Sequence, residues 1–466
     1  MDDKLLKLRS VLKTMPLNDN QINNILGIID TQNKEINDAI TPLLEEYYSY
    51  GIEKDYTNSS SDCIRIGNLD LHRSLPIQSK MRGCLLDDDG NVVEYLPKND
   101  WTTATRDGSK GQVMVEIPMH YRKFETKGTK YIVRLSEYPL SGYHQVSKMY
   151  VSAYEASIER STGKLCSIVN YDVDYRGGDN ISSWDNTYRS LLGCPITNMD
   201  RTAFRSAARK RNTANTSWNC YLYHVHKALF WLYIVEYANL NSQLSYTSEL
   251  TLDGFRKGGL GIGVSNWLDA QWNTFNKHNP FIPCGYTDSL GNRTGIVLYT
   301  ANNQDSLELN PIYVPRYRGI ENPFGHILKW TDGINVRISP TEANGGDNLS
   351  KVFVCEDPSK LNDTNCNDYN YVGNEARLNG YIKEIIFGEK GEIIPSIIEG
   401  NSSTQFFCDY HTTNISTTEM LCGVQFGGFT CYGASSGLAF TNTITPSNLK
   451  SWLGSRLCFI PVTNKN

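Results

Sequence analysis

Residues 18–50, NDNQINNILGIIDTQNKEINDAITPLLEEYYSY, set how the rest of the chain is read. Asn18-Asp19-Asn20 supplies a helix N-cap, so a helix is expected to start there. Ile22, Ile29, Ile36, Leu43 and Tyr50 recur every seven residues, and Leu26, Asn33, Ile40 and Tyr47 form a second series offset by four. That is an a/d heptad with Asn33 as the one polar core position. Isoleucine-rich d positions favour three strands over two. One chain cannot bury such a seam alone, which predicts a homotrimer held by Ile22, Leu26, Ile29, Asn33, Ile36, Ile40 and Leu43. The alternative is one amphipathic helix packed on its own domain, and Pro42, a helix-kinking residue, weighs against a long coil. Upstream, Leu5, Leu6, Leu8 and Leu12 suggest a short helix ending near Met15-Pro16.

Beyond Thr57, Asn58-Ser59-Ser60-Ser61 reads as a linker, and the texture then turns β-like. Stretches 113–117, 131–135, 150–154, 296–299 and 382–387 are rich in β-branched and aromatic residues between Gly, Asn, Asp or Pro clusters. Two helical passages interrupt them. Residues 201–211 place Phe204, Ala207 and Ala208 on one face and arginines on the other; residues 221–237 carry Val225, Ala228, Leu229, Leu232 and Val235 at helical spacing. Residues 250–380 read as long ordered loops. The expected domains are 1–57, an N-terminal helical attachment and trimerisation region; 58–110, a β-rich linking region; and 111–466, the main domain.

Composition narrows the function. The chain has 466 residues, 45 Lys+Arg against 50 Asp+Glu, and a net charge of −5. That balance excludes a broadly basic nucleic-acid coat, so no nucleic-acid partner is expected. No apolar run reaches the ~20 residues of a membrane span, and the start Met1-Asp2-Asp3-Lys4 lacks the pattern of a secretion signal. The twelve cysteines form no C-x-x-C pair, which favours buried apolar thiols in a reducing compartment over zinc ligands or a disulfide scaffold.

Motifs for chemistry fail their context. Gly433-Ala434-Ser435-Ser436-Gly437 fits G-x-S-x-G, but no helix pattern and no histidine follow it. Gly259-Leu260-Gly261-Ile262-Gly263 lacks the Gly-Lys-Ser/Thr of a P-loop. No histidine and carboxylate cluster has metal-ligand spacing, so no catalytic residue and no metal site is assigned. The segment 401–450 differs: Ser, Thr and Asn make up 19 of its 50 residues, interleaved with Phe and Tyr. Adaptable recognition surfaces use that mix, aromatics for contact area and small polar groups for hydrogen bonds.

Several runs occur in a suggestive order: 150–157 (YVSAYEAS), 204–211 (FRSAARKR), 231–243 (WLYIVEYANLNSQ), 318–330 (RGIENPFGHILKW) and 454–459 (GSRLCF). Together they resemble the C-type-lectin-like fold shared by formylglycine-generating-enzyme-like domains and phage receptor-binding proteins. The nearest subgroup is the retroelement-diversified variable proteins, of which the phage major tropism determinant is a type. The resemblance spans about residues 110–466, and 64–86 resembles the region preceding that fold in phage fibre proteins. The reactive cysteine pair of the enzymes lacks its Gly-Gly-Ser-Trp and paired-arginine context around Cys422, Cys431 and Cys458. Glu321-Asn322-Pro323 resembles the calcium-binding Glu-Pro-Asn of true lectins in a different order, and calcium is not assigned.

The resemblance implies an α+β chain: an N-terminal helical coiled-coil stalk, a small β-rich linking domain and a C-terminal C-type-lectin-like domain with long loops, its variable segment at about 401–450. It implies a non-enzymatic virion structural protein without cofactors, a tail or head fibre or appendage of a bacteriophage. Such a protein is assembled in the host cytoplasm and resides in the virion. Its partners would be itself, other virion proteins through the N-terminal region, and a host cell-surface glycan or protein, with no membrane insertion. A formylglycine-generating-type enzyme and a non-viral ligand-binding protein are the alternatives. The expected ligand-binding residues are Asp409, Tyr410, His411, Thr412, Thr413, Asn414, Phe429, Tyr432, Ser435, Ser436 and Asn442, with Gly454-Ser455-Arg456-Leu457 resembling the fixed final strand.

Overall fold

Asn18 caps a helix, α1 (Asp19–Tyr48), of 30 residues. Its side chain accepts from Gln21 N at 2.9 Å, and Asn18 N donates back to Gln21 Oε1 at 3.0 Å, a closed capping box. The structure, a computed structural model, describes residues 9–10, 12–13, 18–178, 191–265, 281–300 and 312–461. Leu5, Leu6 and Leu8, and the side chains of Asn33, Ile36 and Ile40, lie outside the described residues. The other helices are short: α2 (Leu69–Ser74), α3 (Arg201–Arg209) and α4 (Tyr223–Tyr237). No helix among the described residues is long and apolar enough to cross a membrane.

The expected α+β architecture with a long coiled-coil stalk, a separate linking domain and a lectin-like head is overturned: the chain is mostly β-sheet. At ~1.5 Å per residue α1 is only about 45 Å long, and it passes without a linker into the strand Ser49–Asp55. Part of its seam is satisfied within the chain, because Ile22 and Leu26 pack on Leu12. At the other end Leu43 is 70% exposed. The heptad spacing thus signals the helix correctly, while the long stalk it suggested is absent among the described residues.

Segment 58–110 is not a separate unit either. Its strand Ile64–Gly67 pairs with Ser49–Asp55, which pairs in turn with Lys130–Ser136 in a five-stranded sheet. Its strands Arg82–Leu86 and Val92–Tyr95 join Gln112–Ile117, Met149–Ser152 and Leu457–Phe459 in a six-stranded sheet that ties the start of the chain to its end. The Asn-Ser run read as a linker is pinned: Lys54 Nζ donates to Asn58 O at 2.8 Å and also to Ser60 O, and Asp62 pairs with Asn239.

The core forms around α4, which is buried over nearly its whole length and mostly apolar, its charged Lys227 and Glu236 being paired with Glu392 and Arg318. Trp231 packs there against Phe124 and Phe387 and donates to Gly391 O at 2.8 Å. A second cluster gathers Phe204, Trp218, Trp330, Phe440 and Phe459. Between them lies α3, whose arginine face is not simply turned to solvent. Arg201 and Arg205 point inward: Arg205 clasps Asp332 at 2.5 and 3.1 Å, and Arg201 reaches Ile334 O at 2.7 Å and Asp363 at 2.6 Å. A charge in a core must be paired, and here the partners come from over a hundred residues away.

The largest sheet has eight strands. Its middle runs Leu328–Ile338, Met420–Gly427, Gly437–Ile444 and Tyr410–Thr413, the last pair parallel and the others antiparallel. Leu453–Gly454 adds in parallel to Leu328–Ile338. This sheet carries the candidate site.

Candidate ligand-binding cleft

Three of those strands align one residue each. Thr412 lies opposite Asn442, and Asn442 lies opposite Gln425. Residues directly opposite across a sheet share a face and reach one another, and these three form a hydrogen-bonded ladder. Thr412 Oγ1 donates to Asn442 Oδ1 at 2.6 Å, and Asn442 Nδ2 donates to Gln425 Oε1 at 2.7 Å. The ladder ends on the amide Nε2 of Gln425, which is buried and has no partner among the described residues. A buried donor without a partner is uncommon, and it marks a place where a ligand acceptor would be welcome.

Facing this ladder is an aromatic wall. Phe429 stacks on Trp452 with ring centroids 5.1 Å apart and planes 8° from parallel, and Tyr432 meets Phe429 edge-on at 5.0 Å. Tyr432 also packs on Phe440 at 4.7 Å, and Lys450 Nζ sits 5.4 Å from the Trp452 ring centre. Trp452 and Tyr432 remain half-buried, each keeping part of its ring open to solvent. Between wall and ladder lies a cleft of about 320 Å³, rimmed by Asn379, Asn414 and Asn448. That is the small end of the ~300–1,000 Å³ range of ligand pockets.

Of the eleven residues expected to bind ligand, Thr412, Thr413, Asn414, Phe429, Tyr432 and Asn442 line this cleft. The others serve elsewhere. Asp409 is buried, accepting from Ala439 N at 2.6 Å and Gln243 Nε2 at 2.8 Å, and burial holds its carboxyl well above the ordinary range. His411 is buried between Thr441 Oγ1 at 2.7 Å and Ala376 O at 3.2 Å, and burial pushes it down to about 4. Ser436 is buried and donates to Phe429 O at 3.4 Å. Tyr410 meets Tyr381 edge-on at 5.1 Å, and Ser435 shares a 3.0 Å hydrogen bond with the Tyr381 hydroxyl.

Gln425, Trp452 and Lys450 were missed as site residues. Gln425 could have been found as the one long polar side chain in the apolar run 420–427. Trp452 lies just past the Ser/Thr/Asn-rich segment that framed the search. Beneath the cleft, Glu375 accepts from Thr443 and, at 3.3 Å, from Thr413; burial pushes its carboxyl up to about 8. Among the described residues no group of three His, Cys, Asp or Glu side chains is placed to hold a metal ion. What the cleft offers is flat aromatic surface opposite amide and hydroxyl groups, an arrangement suited to binding.

No family model matches this chain, and no curated protein does. Among solved structures it is similar to one titled "Structure of PvdO from Pseudomonas aeruginosa", with 11% identity, 78% of this chain and 100% of that chain covered, and a TM-score of 0.31. That superposition is too loose to fix a common fold.

Proposed function

We propose that this chain is a recognition protein whose cleft between Trp452 and the Thr412–Asn442–Gln425 ladder binds a saccharide. In this reading it serves on a bacteriophage virion, attaching to a host-surface glycan, with the N-terminal helical region joining it to other virion proteins. The observation that carries the proposal is the unpartnered amide of Gln425 opposite half-open aromatic rings. A sugar presents an apolar ring face to stack on an aromatic and hydroxyls to accept from an amide, so both halves of the cleft are used at once. The virion role draws on the motif order and on the Ser/Thr/Asn-rich segment.

The enzyme alternative fares worse on chemistry. Of the three late cysteines, Cys431 is exposed, whereas Cys422 and Cys458 are buried, and burial pushes both of their thiols up to about 12, the setting of an inert structural cysteine and not of a reactive pair.

The test is binding of neutral oligosaccharides to the pure protein, by glycan array and then calorimetry. Trp452→Ala and Gln425→Ala are each expected to weaken the selected glycan about tenfold, near 1.4 kcal/mol, with thermal melts showing that both variants fold. Absence of any glycan ligand, or equal binding by both folded variants, would overturn the proposal.

A further inference from the structure

A second cavity, of about 990 Å³, shares no residue with the cleft. Its walls come from α2, the hairpin strands Arg82–Leu86 and Val92–Tyr95, and the loops at 246–256 and 290–294. Seven lining side chains are cationic and one, Glu116, is a carboxylate, in a chain whose net charge is −5.

Four of the seven are answered by carboxylates. Arg318 holds Glu236 at 2.7 and 2.8 Å, Arg73 holds Asp70 at 2.6 Å, Lys80 pairs with Glu137, and Arg82 lies 3.5 Å from Glu116. Arg256 has only a 3.8 Å approach to Glu236, which Arg318 already occupies. Lys98 has no carboxylate partner among the described residues. Arg293 is bonded to backbone alone: Nε donates to Leu290 O at 3.1 Å, and Nη2 to Asn99 O at 3.1 Å and Ser289 O at 3.0 Å. Those bonds fix its guanidinium in place and leave the two N–H groups of Nη1 without a hydrogen-bond partner among the described residues, with Asp100 as the nearby carboxylate; a guanidinium held in this way can still take a ligand carboxylate. Seven cations against these four carboxylates and Asp100 leave a surplus of two.

We propose that this cavity binds an acidic oligosaccharide, its uronate carboxylates held by Arg293 and Lys98. The neutral walls suit a hydroxyl-rich ligand. Asn292 accepts from Gly83 N through Oδ1 at 2.8 Å and keeps its amide donors, while Ser79, Ser248 and Thr294 add hydroxyls. They suit a nucleic acid less, because single strands need free aromatic platforms. Here the Arg82 guanidinium lies 3.3 Å from the ring centre of the partly exposed Tyr95, Tyr237 is buried, and the half-buried Tyr246 is held by its hydroxyl donating to Thr294 O at 3.0 Å. The inference stands apart from the cleft: the walls, the ligand charge and the assay ligand all differ.

The experiment is calorimetry of the full chain with a galacturonate hexasaccharide, with maltohexaose and a thymidine 12-mer alongside, at low and at physiological salt. The hexauronate is expected to bind, to weaken several-fold as salt screens the charges, and to lose at least about tenfold in Lys98→Glu and in Arg293→Glu. Arg293 also braces its loop, so the exposed Lys98→Glu carries the test if Arg293→Glu misfolds. No binding of the hexauronate, binding unchanged in folded Lys98→Glu, or equal binding of maltohexaose or the 12-mer would each overturn the proposal.

Discussion

Glu375 shows how a single buried carboxyl ties the cleft to pH. Thr443 and Thr413 donate to its two oxygens, His411 lies 3.9 Å away, and Arg377 is the nearby cation. Burial outweighs these contacts and pushes the group from 4.5 up to about 8. His411, down to about 4, stays neutral across that window. From about pH 4.5 upward the unfolded chain releases a proton that the folded chain retains. The contribution of Glu375 to stability is therefore complete below about 4.5 and is lost as pH rises through about 8, in total on the order of a few kcal/mol. Glu375→Gln removes the titration while its carbonyl can still accept from Thr443. The melting temperature of the variant relative to wild type is expected to climb between about pH 5 and pH 9. A constant difference would show that the group does not titrate in this way. Asp409, shifted in the same direction, is present in both proteins and cancels in the comparison.

Strand alternation explains both what the sequence disclosed of the site and what it concealed. Along 409–413, Asp409, His411 and Thr413 alternate with Tyr410 and Thr412, so a period of two places them on opposite faces. All five are polar or amphipathic, and nothing in their order says which face is open. The register settles it, and register depends on strands up to thirty residues away. Composition pointed to the segment that supplies most of the cleft's lining, and six of the eleven residues chosen within it line the cleft. The helices were legible for a simpler reason: 3.6-residue periodicity is local. The expected 201–211 and 221–237 correspond to α3 and α4, and α1 begins at its capping box. What each helix packs against is not local, which is why periodicity alone shows neither that Ile22 and Leu26 meet Leu12 nor that the α3 arginines meet Asp332 and Asp363. The ladder offers a test at this scale. Asn442→Ala leaves the Gln425 carbonyl and the Thr412 hydroxyl without their partner, a cost of about 1–3 kcal/mol. Once Asn442 is absent, Gln425→Ala has less left to break. A double-mutant cycle on melting is expected to give a coupling of roughly 0.5–3 kcal/mol; strict additivity would mean that the ladder is geometry without energy.

Over the whole molecule, the sheets join early and late segments so thoroughly that cuts inside them would be destructive, whereas α1 stands apart. Strand Leu457–Phe459 lies beside Met149–Ser152, and strand Ser49–Asp55 lies inside the five-stranded sheet. Neither large hydrophobic cluster contains a residue before Tyr50, and the buried residues of α1 gather only with Leu12. The attachments of α1 to the sheets are concentrated at its last turn: Glu45 meets Lys123 at 2.7 Å, and Asn68 donates to Tyr47 O at 2.9 Å. Removing residues 1–44 keeps both contacts. Among the described residues the lost apolar burial is confined to a cluster that stabilises only the removed segment, so the remaining chain should keep its full cooperative stability. The shortened protein is expected to be soluble, to melt within about 2–4 °C of the full chain, equivalent to no more than roughly 1 kcal/mol, and to bind the same saccharide with unchanged affinity. A fall of more than about 10 °C, or aggregation on removal, would mean that α1 is built into the stability of the sheets; lost saccharide binding with an unchanged melt would mean that the helix contributes to recognition.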